Sequence, residues 1–472
     1  MSAPNEVRQL LRPNARFVLG AYPDRPAPAH LFNNFVLQAF GKSGGADRVR
    51  EFSRDSGAID RLAQHPAIQT AGWAEDRALL AALADAIWIV FDPDRRVFPK
   101  LGSPLPIDRR LATPDRSDDG LGRALWDSLS GAEQLAVRDQ LIDILDSASG
   151  SDPASQLAQF LLQGTTVAAP KQLDEASTSA FPLLGRTIAS LVKGIGGSPA
   201  GARRLEIIRQ LGTLLHFCAV LGLLLEGLRL RRDNLAWETA LGIVVFTGLP
   251  PGDGADPLVK AAQLSYRATV AEVHLGLGDH LKAALVTALD PAIPDEVRLP
   301  SALLRILTDG QVSNPQQALN KILKEAPQPP DTTSEAINEW VKRVMNTGYP
   351  VELLSRGVRA MANKVGFVGP VRGTGQPRFV LETPLLATLA RALVPAGESL
   401  AFEDFVRAMR TRLGLIVGIS RKDAVPDGAR VFGTEQVARQ RLDVLGEHLR
   451  TRLIHAGLAR EFSDSHTRVF ST

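Results

Sequence analysis

The chain has 472 residues, of which 44% are hydrophobic and 22% are charged. These proportions are typical of globular proteins, so a chain that is disordered throughout is excluded. The length predicts about two to four domains. A single cysteine, Cys218, excludes a disulfide framework and a cysteine-based zinc cluster, and its place in an apolar run predicts a buried, unreactive thiol.

The formal net charge is only +3, and the whole excess lies at one end of the chain. Residues 384–472 carry 13 Lys and Arg against 10 Asp and Glu, while the rest of the chain carries 41 against 41. This positive excess is small for a protein that binds nucleic acid, and it is confined to the C-terminal region.

The opening stretch, MSAPNEVRQLLRPNARF, has no apolar segment after its charges, so we expect no signal peptide and a cytoplasmic location. The most apolar stretch, LGTLLHFCAVLGLLL at 211–225, has no formal charge over 15 residues. A helix that spans a bilayer needs about 20 such residues. We therefore predict a buried core helix over 202–230 and no membrane partner, with ALGIVVFTGL at 240–249 as a packing partner of that helix.

Helical periodicity dominates between breaks rich in proline and glycine, so we predict a mainly α, multi-domain protein. The breaks predict an N-terminal helical domain over 1–160, a helical middle domain over 161–328, and a connector with a basic glycine-rich loop over 329–380. A winged-helix-like domain is predicted over 381–472. Near the end of the first domain, DRALLAALADAIWIVFDPDRRVFP predicts a helix that runs into a small β-hairpin around DPDR.

Patterns that would indicate catalysis are incomplete. FGKSGG at 40–45 has the Gly-Lys-Ser of a phosphate-binding loop, but Val36 stands where that loop needs its first glycine. His274 and His280 are six residues apart, which places them on different faces of a helix and not at metal-ligand spacing. We therefore expect no catalytic residues, no metal, no cofactor and no enzyme activity.

The stretch GFVGPVRGTGQPRF at 366–379 combines four glycines, two prolines and the cations Arg372 and Arg378. A mobile basic loop of this kind is suited to contact phosphates. The alternative is a domain linker whose arginines are only solvated.

The C-terminal region predicts three helices followed by a hairpin. Thr383 and Pro384 are suited to the N-cap and first position of one helix, and SLAFEDFVRAMRTRLGL predicts a second that ends at Gly414. LIVGI is compatible with a short strand or with the tail of that helix. A third helix is predicted from Thr434 to Gly457, and LAREF and TRVF then flank SDSH as a hairpin. The third helix has an apolar stripe formed by Ala438, Leu442, Leu445, Leu449 and Leu453.

Three helices followed by a β-hairpin is the order of a winged-helix module, whose third helix can enter the major groove of DNA. The candidate DNA contacts are Arg439 and Arg450 on the third helix, Arg460 and Arg468 on the hairpin, and Arg372 and Arg378 in the basic loop. Many winged helices bind proteins instead, and Asp443, Glu447, Glu461 and Asp464 dilute the positive charge.

The blocks FVLETPLLATLARALV, ESLAFEDFVRAMRTRLGLIVG and HAGLAREFSDSHTRVF resemble the C-terminal part of proteins encoded in bacterial anti-phage defence islands. They are most similar to an accessory subunit of the methylation-associated defence system. The resemblance implies a role beside other subunits that carry methyltransferase, ATPase and nuclease-like functions. It carries over no functional residue.

We therefore expect a non-catalytic component of an antiviral defence complex that acts as an assembly or DNA-engaging subunit. Its expected partners are other subunits of the defence system and double-stranded DNA. Two alternatives remain open: a stand-alone winged-helix transcriptional regulator, and an enzyme whose active residues converge only in three dimensions.

Overall fold

The structure is a computed structural model that describes the greater part of the chain. The described residues are 7, 9–11, 28–40, 57–91, 120–148, 181–196, 202–231, 242–248, 256–310, 312–370, 375–420, 423–462 and 466–471. Within them the protein is mainly helical, as predicted. Contacts group the chain into one compact unit over 27–215 and a second over 216–472 together with 1–26. The predicted division into four domains differs from this grouping and stays a prediction.

The secondary structure described in the first unit consists of helices joined by turns. Its helices are α1 (Pro28–Phe40), α2 (Ala58–Ala63), α3 (Pro66–Thr70), α4 (Arg77–Phe91), α5 (Leu121–Trp126), α6 (Gly131–Ala148), α7 (Pro182–Gly196) and the start of α8 (Ala202–Arg231). A capping box begins α6: the Ser130 backbone N–H donates to Glu133 Oε2 at 2.7 Å, and the Glu133 N–H donates to Ser130 Oγ at 3.3 Å. The rings of Phe35 and Trp126 meet edge to face, with centroids 5.3 Å apart.

The strand predicted before the DPDR turn is wrong, because α4 continues through Ile87, Ile89 and Val90 to Phe91. These residues favour strands when considered singly, but the preference is worth only a few tenths of a kcal/mol per residue. Extending a helix that already exists adds one hydrogen bond for each residue fixed, which outweighs that preference. The predicted return strand lies outside the described residues, as does most of the FGKSGG segment, since α1 ends at Phe40.

The predicted core helix is confirmed as α8, and the boundary between the two units falls within it. Among the described residues one helical segment, Ile208–Arg231, is long and apolar enough to cross a membrane. Of its most apolar window, 94% is buried inside the protein. This burial agrees with the predicted core helix and not with a lipid-facing surface.

Five more helices of the second unit follow a short strand, β1 (Ile243–Val244). They are α9 (Pro257–Ala288), α10 (Asp295–Asp309), α11 (Pro315–Glu325), α12 (Ser334–Gly348) and α13 (Val351–Asn363). Helices α9 and α11 begin alike: the side chains of Asp256 and Asn314 accept backbone N–H bonds, and a proline follows each cap. Helices α8 and α9 approach closely at Gly227 and Gly276.

The C-terminal part of this unit contains both helices and strands. In chain order it has β2 (Val368–Gly369), β3 (Arg378–Phe379), α14 (Thr383–Leu393), β4 (Ser399–Ala401), α15 (Phe402–Leu413), β5 (Leu415–Ile416), a 3-10 helix (Asp427–Phe432), α16 (Glu435–His455), β6 (Ala459–Glu461) and β7 (Thr467–Phe470). The three predicted helices and the strands of the predicted hairpin are therefore present. Gly414 and Gly457, which follow α15 and α16, have φ of 67° and 71°, a region that glycine adopts without strain.

Strand pairing corrects one detail of the sequence prediction and decides between two alternatives for another. Ser399–Ala401 is not the start of a helix but strand β4, and it pairs antiparallel with β7, giving the sheet order β4-β7-β6. The LIVGI run supplies β5, which pairs in parallel with β1. Neither pairing could be predicted from local sequence, because the partner of each strand lies far away in the chain. Thr383 is the first residue of α14 and not its cap, since the extended Glu382 holds the N-cap position.

Candidate functional site

The apolar stripe of α16 attaches this helix to the rest of the second unit. All five predicted stripe residues are buried. Ala438, Leu442 and Leu445 share a core cluster with Val244 and Phe246 of the β1 segment and with residues of α9 and the 3-10 helix. The Thr247 hydroxyl donates to the carbonyl oxygen of Leu445 at 2.7 Å. The stripe therefore sets which face of α16 remains at the surface.

Three of the four arginines on α16 bind backbone carbonyl groups of their own chain. Arg439 donates to the carbonyl oxygen of Asp423 at 2.7 Å, and Arg441 donates to that of Phe432 at 3.0 Å. Arg452 donates to the carbonyl oxygens of Thr247 and Leu381. Burial lowers the pKa of Arg452, and the nearby charge of Glu382 opposes that effect.

Arg450 is the fourth arginine of α16, and two carboxylates hold it. Its guanidinium lies 2.7 Å from Glu447 Oε2 and 3.5 Å from Glu461 Oε1. The second contact joins α16 to strand β6. The structure thus places Arg439 and Arg450, both predicted to contact DNA, in bonds within the protein.

The exposed face of α16 has a different chemistry from its arginines. Apart from His455 at the end of the helix, the exposed ionisable residues of α16 are acids: Glu435, Asp443 and Glu447. Val444 lies between two of them with 45% of its surface exposed. Gln440 and Thr451 are exposed near it. This face is therefore polar and partly apolar, and Arg450, which is paired with Glu447, lies at its border.

The hairpin brings the other two predicted arginines together. Arg460 on β6 and Arg468 on β7 are direct cross-strand partners, and both are exposed. The Arg460 guanidinium lies 5.9 Å from the centroid of the Phe470 ring, and Arg468 donates to the carbonyl oxygen of Ser399 at 3.4 Å. Neither forms an ion pair with any residue that the structure describes. Two like charges placed opposite each other destabilise a strand pair, and a bound anion would relieve that repulsion.

Arg378 does not lie in a mobile loop, which corrects that part of the prediction. It belongs to β3, where it is half-buried with its guanidinium 5.5 Å from the centroid of the Phe246 ring. Burial lowers its pKa, and the charge of Asp256 opposes this effect. The pairing of β2 with β3 fixes both ends of the glycine-rich stretch. Arg372 lies outside the described residues, so its predicted contact with DNA stays a prediction.

His274 and His280 are half-buried on α9, and Cys218 lies in the core. Helix α9 continues without a break through His274 and His280. The His274 Nε2–H donates to the carbonyl oxygen of Tyr349 at 2.9 Å. Cys218 is fully buried, and this burial raises the pKa of its thiol. Among the described residues, no three His, Cys, Asp or Glu side chains lie close enough together to hold a metal ion.

Sequence reasoning found the arginines but missed the backbone carbonyl groups that accept hydrogen bonds from several of them. Thr247 and Leu381 are distant in sequence from α16, Asp423 lies in the loop before it, and none of the three belongs to a motif. The exposed face of α16 could have been found from the helical wheel, because Asp443, Val444 and Glu447 lie opposite the apolar stripe. Comparisons of this chain with protein families, with curated proteins and with solved structures found no match.

Proposed function

We propose that residues 381–472 form a winged-helix module and that this module is where the protein engages another macromolecule. The observation that carries the proposal is the element order α14-β4-α15-α16-β6-β7 together with the sheet order β4-β7-β6. This arrangement leaves one face of α16 and the outer side of a hairpin at the surface. Modules of this kind use these two surfaces for recognition.

The whole chain, in this proposal, is a non-catalytic subunit of a bacterial antiviral defence assembly. Its support is the resemblance of the C-terminal blocks to defence-island proteins, joined to a module suited to recognition. Chemistry would then reside in other subunits, and this chain would hold them together or bring them to DNA.

Affinity purification of the full-length tagged protein from its own cells, before and during phage infection, tests this role. We expect one or more other proteins in stoichiometric amounts, and loss of protection from phage when the gene is deleted. A lone homodimer bound to one DNA operator would indicate the transcriptional regulator instead. Hydrolytic or transfer activity by the purified chain alone would contradict the non-catalytic role.

A second candidate function is contact with the nucleic-acid backbone through the hairpin, favoured by the exposed pair Arg460 and Arg468. The test is binding to a generic DNA duplex at several salt concentrations. The variant Arg460→Ala/Arg468→Ala should lower the affinity and reduce the salt slope by about two counter-ions, since each phosphate contact contributes about one. Arg439→Ala and Arg450→Ala serve as controls, because their guanidinium groups bind within the protein. An unchanged slope in the hairpin variant would remove DNA as a target of this surface.

A further inference from the structure

We propose that this protein forms a homodimer in which the exposed face of α9 packs antiparallel on the same helix of a second copy. The inference goes beyond the proposed function and does not depend on it, because α9 lies outside residues 381–472. A subunit of an assembly and a transcriptional regulator can both be dimeric, so the dimer does not decide between them.

Helix α9 leaves an apolar stripe at the surface, although much of the helix belongs to the core. Leu264 and Leu275 are 52% and 50% exposed, and Ala268 and Ala271 between them are exposed as well. Their spacing places these four residues within about 60° of one another around the helix. An exposed charge lies at each end of the stripe, an arrangement typical of a protein contact surface. The dimer face consists of six exposed residues: Lys260, Leu264, Ala268, Ala271, Leu275 and Asp279.

The dimer face has the same spacing when it is read in either direction along the chain. Successive members are 4, 4, 3, 4 and 4 residues apart, and the midpoint falls directly after Thr269. Antiparallel packing about a two-fold axis at this midpoint places Leu264 opposite Leu275 of the second copy, and Ala268 opposite Ala271. Each contact then occurs twice, as in every two-fold symmetric interface. Leucine meets leucine, alanine meets alanine and a cation meets an anion, so the occupant that this face fits is a second copy of the chain.

The two alanines allow the helices to approach closely. Packed helices lie about 8–10 Å apart, and the distance depends on the side chains at the contact. Ala268 and Ala271 are the members of the dimer face nearest the two-fold axis, while Thr269 and Val270 between them are buried in the chain's own core. Only methyl groups therefore separate the helices at the centre. The leucines on either side then come into contact, which removes their exposed apolar surface from water.

Charges at the ends of the dimer face select the antiparallel direction. Lys260 forms no hydrogen bond or ion pair through its side chain with any residue that the structure describes. Asp279 accepts a bond from Arg231 through Oδ2, but its side chain is still 46% exposed. A carboxylate accepts at both oxygens, so Asp279 can hold Lys260 of the second copy in addition to Arg231. Parallel packing would place the two copies of Lys260 side by side, which is unfavourable. Apolar contact therefore supplies the attraction, and the charges decide the direction.

Sedimentation equilibrium of the purified full-length chain tests whether the dimer forms. At micromolar concentration we expect twice the mass of one chain. Leu264→Asp should raise the dissociation constant at least about tenfold, because it places an unpaired carboxylate against apolar surface in both halves of the interface. Val297→Asp is the matched control, since Val297 on α10 is also an apolar helical residue with 50% of its surface exposed. It should leave the dissociation constant unchanged, and circular dichroism checks that both variants fold.

Disulfide formation tests the register of the two helices. Two differently tagged chains, one with Leu264→Cys and one with Leu275→Cys, are expressed together, purified and oxidised. We expect a disulfide that joins the two kinds of chain, and little cross-linking when either kind is expressed alone. The two copies of position 264 would be about 16 Å apart along the helix axis, whereas a disulfide needs Cα atoms within about 7 Å. The native Cys218 is buried and does not compete.

A monomer throughout the micromolar range would overturn the inference. A dimer that Leu264→Asp does not weaken, or that Val297→Asp weakens equally, would do the same. Cross-linking of Leu264→Cys chains to one another would indicate parallel packing and would also overturn it. Co-purification of other proteins is measured separately, and its failure would contradict the proposed function while leaving the dimer unaffected.

Discussion

Arg450 and Arg452 lie two residues apart on α16, yet their surroundings differ. Arg450 reaches two exposed carboxylates, whereas Arg452 is more deeply placed and donates to two backbone carbonyl groups. In the sequence both are simply arginines bordering an apolar stripe. What separates them is the β1 segment and Leu381, which approach only one side of the helix.

This difference predicts unequal effects on stability. Arg452→Ala should lower the free energy of unfolding by about 1.5–3 kcal/mol, since the carbonyl groups of Thr247 and Leu381 lose a charged donor. Arg450→Ala should lower it by only about 0–1 kcal/mol, as expected for an exposed ion pair. Urea denaturation followed by circular dichroism measures both. Equal losses in the two variants would contradict the anchoring role of Arg452.

Two glycines of α9 also differ in their surroundings. A Cβ atom on Gly276 would overlap the carbonyl oxygen of Gly227 on α8, whereas one on Gly278 would meet only Met345 Cγ, at 3.7 Å. The first position therefore sets how closely two helices pack, and the second does not.

Gly276→Ala should destabilise the protein by about 1–3 kcal/mol or more, because α8 and α9 must move apart. Gly278→Ala is the control on the same helix and should be neutral or stabilising by up to about 1 kcal/mol, because alanine favours helix more than glycine does. Thermal melting of both variants measures the difference. A stable Gly276→Ala variant would show that the two helices can separate at little cost.

At the scale of elements, α9 is a core helix that carries two half-buried titratable residues, His274 and His280. Burial lowers the pKa of His280 and of His274 from the ordinary value of 6.5. In His274 the hydrogen bonds to the Tyr349 and Met345 backbone and the charge of Glu352 partly oppose that effect. Within the described residues, the buried Nε2 of His280 has no hydrogen-bond partner. Both histidines thus favour the neutral form in the folded protein.

Because the pKa values of His274 and His280 are lowered in the folded protein, its stability should fall at low pH. The unfolded chain takes up protons more readily than the folded one, so stability should be full above the unfolded pKa of about 6.5 and fall as the pH drops below it. His280→Gln should reduce the loss of urea resistance between pH 7.5 and pH 5.5. The part of that loss that His274 causes should remain. His455→Gln, at an exposed position, is the control. An unaltered pH dependence in His280→Gln would contradict a neutral, buried His280.

At the scale of the whole molecule, the single cysteine is a natural probe of core opening. Cys218 is fully buried, and burial raises the pKa of its thiol. In the folded state a reagent therefore cannot reach the thiol, and the thiol stays protonated. Labelling by a thiol reagent at pH 8 should be at least about a hundredfold slower than in urea, because it requires opening of the core. Gly276→Ala should accelerate labelling and Glu339→Lys should not. Rapid labelling of the wild-type protein would contradict a closed core.

The sequence alone determined the mainly helical class, the core helix around Cys218, and the stripe of α16 from Ala438 to Leu453. These follow from periodicity, caps and glycines, which act within a few residues. Tertiary structure decided the β1–β5 pairing, strand β4 and the continuation of α4 to Phe91. It also decided which arginines remain at the surface: the acceptors of Arg452 come from segments distant in sequence, and those of Arg439 and Arg441 come from the loop and the 3-10 helix that precede α16. Contacts of this kind depend on which surfaces the fold brings together, and no local pattern records them.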